Sequence, residues 1–147
     1  MRAGLRVLSQ VAPKAGVRKI GSPTISRDQA VVQAYDSDPD VYRGQIPARV
    51  GAEWITATQY ILSNLPRITL PALIMHGSAD TLVPPVSSQI IYDRIGSADK
   101  TLKFYDGLYH EIFNEPEKAR VLADVWVWLA SHQGTSELRA ASPAKQN

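Results

Sequence analysis

Two short apolar runs, each stopping at a loop with one titratable residue, constrain this chain more than any other feature. The first is Leu70-Pro71-Ala72-Leu73-Ile74-Met75, which leads into His76-Gly77-Ser78-Ala79-Asp80. The second is Thr101-Leu102-Lys103-Phe104-Tyr105, which leads into Asp106-Gly107-Leu108-Tyr109-His110. Each run is short, continuous and bounded by proline or glycine, the pattern of a strand buried in a parallel sheet rather than of a helix. Between them lies one helix-length segment. Pro84-Pro85 opens it, where proline is tolerated in the first turn; Ile90, Ile91 and Ile95 give it an apolar face, and Gly96 caps it. Strand, helix and strand in this order predict a parallel pair with a right-handed crossover.

The flanks supply helices. From Pro47, the residues Val50, Trp54, Ala57, Thr58, Ile61 and Leu65 recur at three- and four-residue steps and predict one buried stripe, ended by Pro66. After the capping-box pattern Asn114-Glu115-Pro116-Glu117, a second helix is expected to bury Leu122, Val125, Trp126 and Leu129 and to end near His132-Gln133-Gly134. Two strands are fewer than the roughly four to six of a usual sheet, so the pattern reads as the end of a larger one. Ahead of it, Leu5, Leu8 and Val11 share one face of a short helix. Ser26-Arg27-Asp28-Gln29 reads as a capping box for a helical turn or two through Ala34, and Pro39 breaks that helix by pushing Asp38 out of the helical region. Residues 133–147 are small and polar without an apolar period, which predicts a disordered tail.

Composition excludes several functions. At 147 residues, one domain is expected. A net charge of +2 with scattered basic residues gives no basis for a nucleic-acid partner. The absence of cysteine excludes disulfides and a thiol nucleophile, and fits a reducing cytoplasm. No apolar run approaches the ~18 residues of a membrane span, and the basic start is interrupted by Ser9 and Gln10, a poor signal peptide. The expected location is cytoplasmic, with peripheral membrane association as an addition.

The chemistry rests on Asp80 and His110. A serine hydrolase needs a hydroxyl nucleophile, an imidazole that takes and returns its proton, and a carboxylate that holds the imidazole's tautomer. Residues after the carboxyl ends of neighbouring parallel strands meet in the crevice where ligands bind. Gly77 and Gly107 allow sharp turns off the strands toward the two residues. Plainer readings stand beside this one. A single aspartate in such a loop also serves as a turn residue or helix cap, and a single histidine after a strand also packs as a structural residue. His76 reads as structural, bonding the turn; His132 reads as an exposed helix cap; Tyr109 and Phe113 read as core. Asp99-Lys100 and Glu115 to Arg120 read as solvated charge.

The run from Leu70 to Pro85 resembles the α/β-hydrolase superfamily. The run from Gly96 to Glu115, with Tyr105-Asp106-Gly107 and His110-Glu111, narrows the resemblance to its monoacylglycerol lipase and lysophospholipase branch. Residues 26–46, with Ser26-Arg27-Asp28, Asp38-Pro39 and Val41-Tyr42-Arg43-Gly44, are similar to the second half of that branch's lid. The resemblance implies the C-terminal portion of an α/β-hydrolase fold, two parallel strands with flanking helices, preceded by part of a helical cap. It divides the chain into a cap segment, 1–46, a core portion, 47–132, and the tail. It implies that Asp80 is the triad acid and His110 the general base. It implies neither a metal nor an organic cofactor. The family's serine lies in a Gly-x-Ser-x-Gly elbow upstream of the cap. No serine here has glycines at both two-residue offsets, so the chain is expected to begin inside the cap without the nucleophile, and to be inactive alone.

Two functions follow from this. One is part of a serine carboxylester hydrolase acting on monoacylglycerol-like lipid esters, completed by an N-terminal half. The other is a non-catalytic interaction module that pairs with another subunit, such as a second copy.

Overall fold

The computed structural model describes residues 2–140. At its centre, β3 (Ala72–Gly77) and β4 (Lys100–Tyr105) pair in parallel, from Ala72 opposite Lys100 to Gly77 opposite Tyr105. The crossover is α4 (Val86–Arg94). The expected strand–helix–strand unit is therefore present, with β3 starting two residues later than the apolar run and taking in His76 and Gly77. The helix between them stops at Ile95, whose amide bonds the Ile91 carbonyl. Lys100 Nζ donates to the carbonyls of Tyr92 and Ile95 at 2.7 and 3.2 Å and so caps the helix end. Gly96 is needed for a different reason than capping: a side chain there would overlap the Pro66 carbonyl.

The N-terminal part consists of α1 (Arg2–Val11), β1 (Gly16–Arg18), α2 (Gln29–Ser37), β2 (Ile46–Pro47) and α3 (Ala48–Asn64). β1 and β2 pair antiparallel, and α1 packs on α3. The α2 cap is Asp28, whose carboxylate accepts from the Ala30 amide at 2.9 Å, and not Ser26 as the capping-box pattern predicts. Pro39 acts as expected, since Asp38 is extended and ends α2.

Most of the two apolar stripes read from periodicity faces outward, although Leu65, just after α3, is buried as expected. On α3 the buried residues are Ala48 and Ala52, with Gly51 facing Leu5 of α1, while Val50, Trp54 and Ile61 are exposed. On α5 (Lys118–Ala140) Val121 is fully buried and joins Tyr105, Leu108 and Ile112 in the main core cluster, whereas Leu122, Trp126 and Leu129 are exposed. The strands themselves are mostly half-buried rather than covered on both faces. Moreover, α5 continues past Gly134 to Ala140, so the helix runs into the stretch expected to be a tail; residues 141–147 of that tail lie outside the described residues. His132 is consequently no terminal cap. It stacks on Trp128, ring centroids 3.9 Å apart, and pairs with Asp99. Its pKa is raised, first by the Trp128 carbonyl and then by Asp99. Among the described residues no helix is long and apolar enough to cross a membrane.

Candidate active site

The parallel register places the loops after β3 and β4 side by side, and backbone hydrogen bonds stitch them together. The Ser78 amide donates to the Tyr105 carbonyl at 2.8 Å, and the Ala79 amide to the Leu108 carbonyl at 3.0 Å. The close fit depends on Gly77. It ends the strand rather than turning it, and a β-carbon there would overlap the carbonyls of Leu108 and Tyr109. Gly107 does make the expected turn, with φ at 73°. Ser78 is absorbed in this stitching: its Oγ donates to Asp106 and accepts from the Gly107 amide.

This arrangement brings Asp80 and His110 together. Asp80 is buried, with its side chain 1% exposed, and its two carboxylate oxygens divide their work. Oδ1 accepts the amides of Leu82 and Val83 at 2.8 and 2.9 Å. Oδ2 accepts His110 Nδ1–H at 2.8 Å. A proton on Nδ1 leaves Nε2 of His110 with its lone pair free, and with the side chain 37% exposed that nitrogen can reach an incoming hydroxyl. This is the tautomer a general base requires.

Burial alone would raise the Asp80 carboxyl, but the Val83 amide, the His110 hydrogen bond and the Leu82 amide outweigh it and hold its pKa below the ordinary value. A carboxyl lowered in the folded state stabilises the fold at pH values above its unfolded pKa, ~3.9, and that stability is lost as pH falls through the lowered value. The stability difference between the native chain and Asp80→Asn, measured by urea unfolding, is therefore expected to shrink steadily below about pH 4. A difference that keeps growing as pH falls from about 4 to about 2 would contradict the assignment.

A second imidazole meets the same carboxylate. His76 Nε2 faces Asp80 Oδ2 and the Val83 carbonyl, both at 3.0 Å, so it carries the proton, and Nδ1 accepts from the buried Ser88 hydroxyl at 2.7 Å. His76 does bond the turn, as its position at the strand end predicts. What the sequence does not show is that the bond is to Asp80 itself.

Glu115 is the residue that sequence reasoning missed. Placed among solvated charges by its neighbours, it is 0% exposed and accepts Arg27 Nε at 2.7 Å, the Arg27 amide at 3.1 Å and the Tyr109 amide at 3.1 Å. Its partners lie up to 88 positions away, so no local pattern carries the signal. Phe113, read as core, is 44% exposed. Among the described residues, no group of three or more acidic or histidine side chains is arranged to hold a metal ion.

Comparison with known proteins bears on the fold and the family. The family model described as serine aminopeptidase, S33, matches residues 1–117. A monoacylglycerol lipase of Mycolicibacterium smegmatis is 42% identical over 127 residues, 86% of this chain and 45% of the relative. The human monoglyceride lipase is 33% identical, over 94% of this chain and 46% of the relative. The crystal structure of a Paleococcus ferrophilus monoacylglycerol lipase superposes with a TM-score of 0.79 at 29% identity, covering 90% of this chain and 52% of the other. The chain thus spans about half the length of the curated relatives it matches. With its parallel strand pair, crossover helix and flanking helices, it is part of an α/β-hydrolase fold and belongs to the serine hydrolase family of that matching model, in the branch that resembles monoacylglycerol lipases.

Proposed function

We propose that this chain supplies the acid and base arms of a serine carboxylester hydrolase that cleaves monoacylglycerol-like esters. The observation that carries the reading is the buried Asp80 carboxylate bonded at 2.8 Å to Nδ1 of a half-exposed His110. In the complete enzyme, His110 Nε2 takes the proton of the attacking serine and returns it to the leaving alcohol, while Asp80 fixes the tautomer and stabilises the imidazolium. The names of the relatives support an ester of a monoacylglycerol as substrate. The N-terminal segment, 1–46, is part of the lid in this reading. An apolar groove of about 510 Å³, lined by Leu5, Val17, Ile46, Trp54, Ile55 and Leu62 among others, is suited to an acyl chain. The nucleophile and the oxyanion hole come from a complementing N-terminal half.

A fluorophosphonate probe tests the division of labour. The 147-residue chain alone is expected to remain unlabelled, because none of its serines lies in a Gly-x-Ser-x-Gly elbow. Stoichiometric labelling of the chain alone, at Ser78 or elsewhere, would sink the proposal.

One observation favours a second reading, a non-catalytic module. Val50, Trp54 and Ile61 on α3 and Leu122, Trp126 and Leu129 on α5 expose apolar surface that a partner would cover. A cooperatively folded homodimer in solution would favour that reading.

A further inference from the structure

The loop that presents His110 is held from outside. The amides on either side of His110 are both anchored: Tyr109 N–H donates to Glu115 Oε1 at 3.1 Å, and Glu111 N–H donates to the Ile25 carbonyl at 2.8 Å. Glu115 is fixed in turn by Arg27, through Nε and the backbone amide, while the Arg27 guanidinium also pairs with Glu117. Next to it, the buried Ser26 hydroxyl donates to the Asn114 carbonyl at 2.9 Å. Three consecutive residues, Ile25, Ser26 and Arg27, thus grip both ends of the segment 109–115. A carboxylate sealed from water is stable only where donors surround it, and these donors belong to the N-terminal segment and to the residue preceding the base.

We infer that Glu115 is a positioning residue for His110. Clamped by Arg27, it fixes the Tyr109 amide so that the imidazole Nδ1–H meets Asp80, and it makes the N-terminal segment and the acid–base pair one mechanical unit. The inference rests on the reading of His110 as general base. Neither Glu115 nor Arg27 touches the carboxylate or the imidazole, so the effect passes through the backbone of the loop.

The test reads the tautomer of each histidine ring in the full 147-residue chain, by long-range proton–nitrogen NMR correlations at a pH where the rings are neutral. In the native chain His110 shows the Nδ1–H form, and His76, which reaches the same carboxylate from β3, shows Nε2–H. In Glu115→Ala and in Arg27→Met, His110 is expected to shift from mainly Nδ1–H to mainly Nε2–H, the form favoured by an unconstrained imidazole, while His76 is unchanged. His110 keeping Nδ1–H in both variants overturns the inference. If Glu115→Ala unfolds, both rings lose their patterns together, and Arg27→Met decides alone: a shift at His110 with His76 intact supports the inference. Loss of both patterns there overturns it, because the pair would then hold the fold and not the histidine. A native chain in which His110 shows no Nδ1–H form would instead refute the proposed site, a distinguishable failure.

Discussion

Asp80→Asn is expected to lower turnover by about 10⁴ in a complete enzyme containing this chain, with little change in KM. The reason lies in which atom of the new amide can occupy each position. Oδ1 of Asp80 receives two backbone N–H groups, from Leu82 and Val83, so an oxygen must stay there. The nitrogen of the introduced amide is then forced into the Oδ2 position, where it meets His110 Nδ1 and His76 Nε2. An NH₂ group donates, so His110 must accept at Nδ1 and carry its proton on Nε2, the nitrogen that has to take the serine proton. Substrate contacts are untouched, which is why the loss falls on turnover. A tenfold loss or less would mean that some other group orients the imidazole, and His76 would be the first to examine.

Arg27→Met is expected to destabilise the fold by about 3 kcal/mol, the lower end of the range for breaking a buried ion pair from one side. It leaves Glu115 sealed from water without its cation. The lower end applies because the backbone amide at position 27 continues to bond the carboxylate, and because Arg27 itself is 33% exposed and loses little on release. The double variant Arg27→Met/Glu115→Gln leaves no buried charge and is expected to recover part of the loss, so the two substitutions are non-additive. Urea unfolding of the four chains gives the coupling; additive losses would show that the pair carries no mutual stabilisation.

The sequence carried the middle of the molecule well. The segment from β3 to β4 was legible because continuous apolar runs and their Gly and Pro boundaries are local signals. Asp80 and His110 were legible because their positions follow from those strands. The helix faces were not. Periodicity marks Val50, Trp54 and Ile61, or Leu122, Trp126 and Leu129, as one stripe, but it does not say whether the chain itself supplies the cover. On α3 the buried residues are instead the small Ala48 and Ala52, and Gly51 faces Leu5 of α1. Glu115 and Ser26 were misread for a related reason. A polar residue is buried when a distant segment brings its partners, and Arg27 and Asn114 lie 88 positions from the groups they bond. His76 lay between these cases: its role in the turn was local, but its second acceptor, the Asp80 carboxylate, becomes visible only once the loop is folded.

The most direct measurement joins this chain to the nucleophile it is proposed to serve. The N-terminal half of the Mycolicibacterium smegmatis relative, fused ahead of these residues, is assayed for hydrolysis of a monoacylglycerol, with and without His110→Ala. The account predicts an active fusion whose hydrolysis falls by at least about 10⁴ when His110 is replaced, as expected when a triad base is removed. A folded fusion that hydrolyses the ester equally well without the His110 imidazole would contradict it.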